Sequence, residues 1–331
     1  MSDKQYAVRF TAPERAELSE MEPDDKSLAS HEVAGRTIRS LISPGTELAG
    51  YQGQWAWAKY PVNPGYATVF EVTTCGTEVH DLKPGDLAFC MGAHQSHHRL
   101  PREHVIPLSA GLAPDVAPFA RLMCVTMTTL TTTTARPPAK VIITGLGIVG
   151  HLAAKIFHAN GYDVLAVDPL AERREALQRA GLAHTAPVIP LDDPAYAGKV
   201  ALVVECSGHE QAAMDACKVV QKHGEVVIVA AMWKQRTSLS AFELLNTVFN
   251  RYVVVRSGWE WELPLFPADF RTNSIFGNLT GAMRWLAEGR IKVDGMALTA
   301  SPRNAQQAYQ QLLHQPGRSL SVLFDWTMLA S

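Results

Sequence analysis

The sequence has no excess of either charge and no long apolar run. Its 30 lysines and arginines are balanced by 32 aspartates and glutamates, which gives a formal net charge of -2. A chain without a basic excess is a poor partner for nucleic acid or for an acidic membrane surface. No apolar run approaches the ~20 residues that span a bilayer, and the N-terminal residues contain no secretory apolar segment. We therefore expect a cytoplasmic protein that binds neither nucleic acid nor membrane.

Cysteine is scarce, and none of the five cysteines has Cys-x-x-Cys spacing. This pattern argues against a disulfide framework and against a clustered structural zinc site, so we expect free thiols. With 331 residues, of which 47% are hydrophobic, the chain is long enough for two domains with large cores. The cysteines are Cys75, Cys90, Cys124, Cys206 and Cys217.

Proline–glycine pairs punctuate the first 119 residues, at 43–47, 63–66 and 83–86. Proline fixes φ and glycine accepts a positive φ, so each pair predicts a chain reversal between the short strands of a β-rich domain. From Lys140 to residue 258, short apolar strands alternate with helical periods. That alternation is typical of a parallel sheet covered on both faces.

The residues that follow this alternating region, 259–331, contain helical segments at 277–288 and 305–313 but continue no strand–helix–strand repeat. We assign them to the first domain, 1–119, which residues 120–258 interrupt. The Thr-rich stretch 126–134 predicts either a domain connector or a weak helix held by tertiary packing, since β-branched residues lower helix propensity.

Three glycines lie between an apolar run and a helical segment in Val141–Asp168, and an acid ends the next apolar run. Gly145 permits a sharp turn, Gly147 lets bare backbone approach a pyrophosphate, and Gly150 lets the helix pack closely. The helix N-terminus then offers unpaired N–H groups to phosphates. Strand, glycines, helix, strand and acid in this order favour a dinucleotide site over a merely structural tight turn.

Asp168 is placed to accept both ribose hydroxyls of a dinucleotide and to repel a 2′-phosphate, which favours NAD(H). Arg173 and Arg174 follow closely and keep NADP(H) open. Ligands of such sheets bind beyond the carboxyl ends of the strands, so strand-end residues are also expected to contact the cofactor. The predicted contacts are Gly145, Leu146, Gly147, Ile148, Val149, Gly150, Asp168, Arg173, Cys206, Ser207 and Ala230.

Five segments in a fixed order carry a family resemblance: 43–48, 63–72, 85–86, 94–108 and the glycine motif. With SPGTEL, NPGYATVFEV, Gly-Asp and HQSHHRLPREHVIPL, the chain resembles the medium-chain dehydrogenase/reductase superfamily over nearly its whole length. The resemblance implies an α/β fold, in which a Rossmann doubly wound parallel sheet is inserted in a β-rich GroES-like domain. It also implies that Thr128 contacts the nicotinamide ribose, and that a homodimer forms through edge strands such as 252–258.

The sequence departs from the zinc-containing members of that superfamily. Their two turns usually read Cys-Gly-Ser/Thr-Asp and Pro-Gly-His-Glu, whereas Pro44 and Tyr66 occupy the matching positions here. Two zinc ligands are therefore missing, and Cys124 at a third position does not hold zinc alone. We predict a zinc-lacking branch with no metal. The alternative is a relocated metal site near Cys90, His94 and His98, which a strand would place on one face.

Without a metal, the reacting oxygen needs hydrogen-bond donors where negative charge develops. The hydroxyls of Tyr66 and Thr46 occupy the matching turns, and His94 is the third catalytic candidate. Tyr66 acts as a general acid or base only if nearby positive charge, for instance from His94 or Lys59, lowers its pKa. The alternative is that Tyr66 merely fills the space left by zinc.

The loop after the first turn interleaves aromatic and polar residues, which suits stacking against a sugar or polyol. We expect Glu47, Tyr51, Trp55 and Trp259 to contact a small-molecule substrate. The leading hypothesis is a zinc-independent, NAD(H)-dependent oxidoreductase that interconverts a secondary alcohol of sugar or cyclitol type and its ketone. The alternatives are a quinone or enoyl reductase of the same superfamily, and a catalytically inactive nucleotide-binding redox sensor.

Overall fold

The computed structural model describes residues 4–22, 27–271 and 273–329. The strands are β1 (Gln5–Ala12), β2 (Arg15–Met21), β3 (Glu32–Leu41), β4 (Thr68–Cys75), β5 (Leu87–Cys90), β6 (His97–Pro101), β7 (Ile106–Pro107), β8 (Lys140–Thr144), β9 (Asp163–Val167), β10 (Thr185–Ala186), β11 (Val200–Glu205), β12 (Val220–Ile228), β13 (Val254–Ser257), β14 (Ala297–Ala300) and β15 (Ser321–Asp325). The α-helices are α1 (Pro44–Tyr51), α2 (Phe119–Thr132), α3 (Ile148–Ala159), α4 (Ala171–Arg179), α5 (Glu210–Val219), α6 (Ala241–Arg251), α7 (Ile275–Ala287) and α8 (Ala305–His314).

The chain forms two compact units. Unit 1 comprises Met1–Arg121 and Met283–Ser331, and unit 2 comprises Leu122–Ala282. The units divide at 121/122 and 282/283, where the sequence predicted 119/120 and 258/259. The second boundary lies later in the chain than predicted because residues after 258 contact other residues of unit 2. Asn273 Nδ2 donates to Thr131 Oγ1 at 2.7 Å, and Cys124 Sγ lies 3.5 Å from the Ile275 carbonyl oxygen.

Unit 1 is the β-rich part. A seven-stranded sheet has the order β14-β15-β3-β4-β5-β7, with β6 pairing β3, and β1 and β2 form a separate antiparallel pair. One core cluster of this unit contains four large aromatic side chains that are fully buried. Tyr51 and Tyr309 stack with ring centroids 5.3 Å apart, and Phe10 meets both edge-on. This cluster joins α1 to α8, and Phe324 of β15 completes it.

Two of the three proline–glycine reversals are confirmed, because Gly65 (φ 100°) and Gly85 (φ 91°) adopt the positive φ that such turns require. The reversal predicted at 43–47 is wrong, because this segment begins α1 with Ser43 at the N-cap and Pro44 in the first turn. Proline is well tolerated at the first helical position, where its missing N–H has no partner to lose. Glu47 then turns back to accept a hydrogen bond from the Ser43 N–H at 2.7 Å.

Unit 2 contains a six-stranded parallel sheet with the order β10-β9-β8-β11-β12-β13. Alternate residues of β8 face opposite layers. Ile143 packs in the cluster with α3, and Ile142 packs in the cluster with α5. Both faces of the sheet are therefore covered, which confirms the predicted doubly wound α/β fold.

The helices predicted over 148–160, 171–180 and 210–220 appear as α3, α4 and α5, within one residue at each end. α6 was not predicted. The Thr-rich stretch lies mostly within α2, which supports the weak-helix interpretation. Its threonines donate to backbone carbonyls one turn earlier, as Thr128 Oγ1 does to the Cys124 oxygen at 3.1 Å. In the described ranges, no helix is long and apolar enough to cross a membrane. The five cysteines are free, as expected.

Candidate functional site

The glycine loop of unit 2 follows β8 and enters α3. Gly145 has φ 75°, and a Cβ there would lie 2.5 Å from the backbone of Ser207, so a side chain is excluded. A Cβ on Gly150 would lie 1.9 Å from the Gly145 oxygen. At Gly147, by contrast, a Cβ would meet nothing within 4 Å. The loop therefore presents open space beside bare backbone at the N-terminus of a 12-residue helix, which fits a pyrophosphate.

Asp168 anchors this loop from the end of β9. Its Oδ2 accepts hydrogen bonds from the Leu146 N–H at 2.7 Å and from Arg173 Nη1 at 3.2 Å, and its Oδ1 accepts from the Leu170 N–H at 2.8 Å. Arg174 Nη1 donates to the Asp168 carbonyl oxygen at 2.6 Å. Asp168 is buried, and its carboxylate holds the loop and Arg173 together at the position predicted for the ribose, while its carbonyl oxygen binds Arg174.

The ends of β8 and β11 are tied together by Glu205, which the sequence analysis did not identify. Its carboxylate accepts hydrogen bonds from the Ser207 N–H (2.7 Å), the Gly208 N–H (3.1 Å) and Thr144 Oγ1 (3.2 Å), and also from Ser207 Oγ. Burial raises the pKa of Glu205, and the hydrogen bonds from Ser207 oppose that rise. Glu205 therefore fixes the backbone against which Gly145 packs.

Three further predicted cofactor contacts also belong to unit 2. Cys206 and Ala230 follow β11 and β12 and are partly buried, and burial raises the pKa of the Cys206 thiol well above its ordinary value. Thr128 is fully buried within α2, and its hydroxyl donates to its own helix. Cys206 and Ala230 do follow strand ends, and their contact with a cofactor stays a prediction. Among the loop residues, Ile148 and Val149 begin α3.

Tyr66 of unit 1 is partly buried among polar groups from two helices. The hydroxyls of Ser43 and Thr46, at the start of α1, lie near its phenol group and favour the phenolate. The Arg121 guanidinium lies over its ring, with the central carbon 4.8 Å from the ring centroid. Burial raises the pKa of Tyr66, and the nearby Glu47 charge adds to the rise, whereas the Arg121 charge and the two hydroxyls oppose it. Burial wins, so Tyr66 keeps its proton at neutral pH.

His94 lies in the interior of unit 1, in a network that the sequence did not predict. Its Nδ1 is 2.8 Å from Ser40 Oγ, and its Nε2 is 3.0 Å from Glu47 Oε2. Tyr309 donates to the same Glu47 oxygen at 2.5 Å, and Trp326 Nε1 donates to Ser40 Oγ at 2.8 Å. Both His94 and Glu47 are buried. This network therefore fixes α1, which carries Ser43 and Thr46.

The four residues predicted to contact substrate are placed in different surroundings. Glu47 and Tyr51 are buried, and the Tyr51 hydroxyl donates to the Glu14 carbonyl oxygen at 2.6 Å. Trp55 stacks on the exposed Trp57 with ring centroids 5.0 Å apart. Trp259, in unit 2, is 66% exposed. Neither Glu47 nor Tyr51 faces solvent, because both side chains are engaged in the core of unit 1.

The residues around Tyr66 do not fit a zinc ion. Pro44 offers no donor atom, and the nearby Arg121 guanidinium carries a charge that repels a divalent cation. The relocated-metal alternative loses a ligand as well, because Ser40 and Glu47 engage both ring nitrogens of His94. Burial also raises the pKa of Cys90 to about 12, which keeps it a thiol. No metal-binding group of three His, Cys, Asp or Glu residues occurs in the described part of the chain.

Parts of the chain are similar in sequence to known dehydrogenases and reductases. Residues 149–265 match the family described as zinc-binding dehydrogenase. An aldehyde reductase from Synechocystis is 25% identical over 173 residues, which are 42% of this chain and 51% of that protein. 8-Hydroxygeraniol dehydrogenase from Catharanthus roseus is 23% identical over 284 residues, 72% of this chain and 77% of that protein. The chain is therefore similar to dehydrogenases and reductases over part of its length. Its match spans about half the length of the aldehyde reductase.

Solved structures of several dehydrogenases and reductases have the same fold over nearly the whole chain. Galactitol-1-phosphate dehydrogenase from Escherichia coli has a TM-score of 0.81 at 18% identity, covering 97% of this chain and 99% of that one. Acetophenone reductase from Geotrichum candidum, in complex with NAD, has a TM-score of 0.80 at 15% identity and 98% coverage of both chains. A dehydrogenase from Sinorhizobium meliloti, bound to NADP, has a TM-score of 0.78 at 17% identity, with 98% and 100% coverage.

Arg121 is the residue beside Tyr66 that sequence reasoning missed. His94 and Lys59 were the predicted sources of positive charge, but His94 is hydrogen-bonded to Ser40 and Glu47, and Lys59 is exposed. A signal was available, since Arg121 is a single charge within the apolar run that forms α2. A lone charge in a buried helix usually has a specific partner or task.

The Glu47 network generates a stability prediction. Glu47→Ala leaves the Ser43 N–H, His94 and Tyr309 hydroxyl without their shared acceptor, so unfolding should become easier by about 3–5 kcal/mol. Thermal unfolding followed by calorimetry measures the loss. The exposed Glu78→Ala, in the same unit, serves as the control and should leave the unfolding temperature unchanged. Equal unfolding temperatures for the two variants would show that the network adds nothing to stability.

Proposed function

We propose that the protein is a zinc-independent, NAD(H)-dependent oxidoreductase that interconverts a secondary alcohol and its ketone. The observation that carries the proposal is the Tyr66 hydroxyl, held by Ser43 and Thr46 beside the Arg121 cation. The glycine loop with Asp168 supports a dinucleotide as the redox partner. The names of the relatives, aldehyde reductase and 8-hydroxygeraniol dehydrogenase, support a carbonyl–alcohol reaction.

A bound nicotinamide coenzyme supplies the hydride donor or acceptor. Tyr66 holds the proton in this proposal, because its raised pKa keeps the phenol protonated at neutral pH. In the reducing direction the Tyr66 hydroxyl donates its proton to the carbonyl oxygen as that oxygen gains negative charge. Thr46 and Ser43 orient the phenol oxygen by hydrogen bonds, and His94 holds α1 in place through Glu47.

A sugar or cyclitol remains the proposed substrate class. The stacked pair of Trp55 and Trp57 offers an aromatic surface, since Trp57 is 71% exposed, and Trp259 offers a second one. Glu47 and Tyr51 support such a site from the core rather than by direct contact. Turnover assays distinguish the proposed function from its two alternatives, an enoyl or quinone reductase and an inactive redox sensor. Turnover of enones alone would favour the former, and coenzyme binding without any turnover would favour the latter.

We also propose that the protein is a cytoplasmic homodimer. β13 is an edge strand of the parallel sheet of unit 2, and its Val254 and Val255 are 46% and 41% exposed. An edge that presents unpaired backbone and apolar side chains is suited to pairing with a second copy.

Tyr66→Phe tests the proton-transfer role. Removing one hydroxyl should lower kcat by ~10²-fold, while the ring still packs against Arg121. A panel of secondary alcohols, sugars and cyclitols with NAD⁺, and of the ketones with NADH, measures turnover. Tyr6→Phe, a partly buried tyrosine elsewhere in unit 1, is the matched control. An unchanged kcat in Tyr66→Phe, or stoichiometric zinc whose chelation abolishes turnover, would contradict the proposal.

Gly147→Ala tests the dinucleotide site. The backbone φ of -69° accepts alanine and no atom lies within 4 Å of its Cβ, so the fold should be unaffected. The methyl group occupies the space of the pyrophosphate, and NADH affinity should fall by ~10-fold or more, about 1.4 kcal/mol. NADH fluorescence titration measures the Kd. Gly45→Ala, which also places a methyl group in open space near a helix N-terminus, should bind NADH as the parent does. Equal affinities for both variants argue against the site.

Asp168→Asn tests coenzyme choice. The amide oxygen still accepts a backbone hydrogen bond, but the negative charge that repels a 2′-phosphate is gone. The preference for NADH over NADPH, measured as a ratio of Kd values, should shrink by ~10-fold or more. Asp163→Asn, at the opposite end of β9, is the control and should leave the ratio unchanged. A parent protein that prefers NADPH would refute the NAD(H) assignment.

A further inference from the structure

Arg121 occupies a position where a positive charge is unfavourable on two counts. It lies in the first turn of α2, where the helix dipole repels cations. Its side chain is also buried, with 5% exposure, so the guanidinium has lost most of its hydration. Arginine is rarely buried to this extent unless its charge serves a neighbouring group. Tyr66 is one such neighbour, since the central carbon of the guanidinium lies 4.8 Å from the centroid of the Tyr66 ring.

The groups that face Tyr66 come from several elements of unit 1. The hydroxyls of Ser43 and Thr46, at the start of α1, favour the phenolate of Tyr66, and Glu47 of the same helix contributes a negative charge. Tyr309 of α8 is coupled electrostatically to Tyr66, and burial raises its own pKa, so it stays neutral. The ring of His94 packs against Gly65, since a Cβ at Gly65 would lie 2.7 Å from it. Within this set Arg121 supplies the positive charge.

We propose that Arg121 is the positioning residue of the proton transfer: its guanidinium lies on the face of the Tyr66 ring and stabilises the phenolate form. A cation is attracted to the face of a tyrosine ring by the ring's electron density. That density rises when the phenol loses its proton, so the attraction strengthens on the phenolate side of the reaction. Arginine suits this place better than lysine because it stacks flat on a ring and keeps its charge when buried.

The inference rests on the proposed function, in which Tyr66 is the proton donor. In carbonyl reduction, a bound nicotinamide coenzyme would supply the hydride for the new C–H bond, and the Tyr66 proton passes to the carbonyl oxygen. The Tyr66 phenolate that remains lies beside Arg121 and recovers a proton from water. In alcohol oxidation the phenolate accepts the alcohol proton, and a bound oxidised coenzyme would accept the hydride. Arg121 thus supplies a fixed positive charge that offsets the negative charge near the reacting oxygen. In zinc-containing dehydrogenases the metal ion performs this task.

Fluorine NMR of protein labelled with fluorotyrosine tests the assignment without coenzyme or substrate. Fluorination lowers the phenol pKa, which brings the titration into the range where the fold is stable. The chain has eight tyrosines, and the resonance lost in Tyr66→Phe identifies Tyr66. Arg121→Met removes the charge and keeps an apolar side chain of similar length. The ionisation constant of Tyr66 should fall ~10-fold or more in this variant, and Arg121→Lys should restore part of it.

The pH profile of turnover supplies the second readout. In Arg121→Met the acid limb of alcohol oxidation should move to higher pH by the same factor as the NMR titration, and kcat should fall ~10-fold with little change in KM. Arg290→Met is the matched control, because Arg290 lies 4.1 Å from the Trp285 ring centroid and stacks in the same way far along the chain. It should change neither readout. If Arg121→Met does not fold, Arg121→Lys and Arg121→Gln give the same charge comparison.

Each outcome has one meaning. An unchanged Tyr66 titration in Arg121→Met or Arg121→Gln overturns the Arg121 assignment, whether or not the protein turns over alcohols. If the Tyr66 titration shifts but the protein turns over no carbonyl or alcohol, the pairing of Arg121 with Tyr66 is supported and the proposed reaction is rejected. A shifted titration matched by a shifted pH profile supports both.

Discussion

The buried Glu47 carboxylate is the constraint on which the candidate site of unit 1 depends. Its two oxygens are shared among the Ser43 N–H, His94 and Tyr309, so a single charge ties the start of α1 to α8 and to the segment before β6. Burying a carboxylate is costly unless its hydrogen bonds are satisfied, and here three partners satisfy it. The placement of Ser43 and Thr46 against Tyr66 follows from that arrangement, because both residues belong to the helix that Glu47 fixes.

In unit 2, two other buried carboxylates also hold the backbone by hydrogen bonds. Asp168 holds the glycine loop through the Leu146 N–H, and Glu205 holds the neighbouring strand end through Ser207 and Gly208. In each unit, therefore, buried carboxylates position backbone rather than react. The groups assigned to chemistry are neutral hydroxyls, and the nearby cation comes from the protein itself. This division of tasks is the physical basis of the proposal that the chain reduces carbonyls without a metal.

The fold and the glycine loop were predictable because their signals are local. The turn at Gly145, the open space at Gly147 and the close packing at Gly150 are dictated within six consecutive residues, and the strand–helix alternation repeats along the chain. The 43–47 segment was mispredicted because a proline–glycine pair suits both a turn and the first turn of a helix. The network around His94 was beyond local reasoning, since Ser40 and Trp326 are separated by 286 positions. Arg121 gave a local signal as a single charge in an apolar run, but only the folded chain shows that its partner is Tyr66.

The hydrogen bonds of Leu146 and Ser207 have a consequence for how a dinucleotide is captured. Both N–H groups donate hydrogen bonds to carboxylates of the protein, so these internal hydrogen bonds determine the shape of the loop. A preorganised loop loses little conformational entropy when a ligand binds. The binding free energy of the pyrophosphate is therefore not offset by the cost of ordering the backbone. Preorganisation of this kind lets a chain release its coenzyme after each turnover without refolding the segment that recognises it.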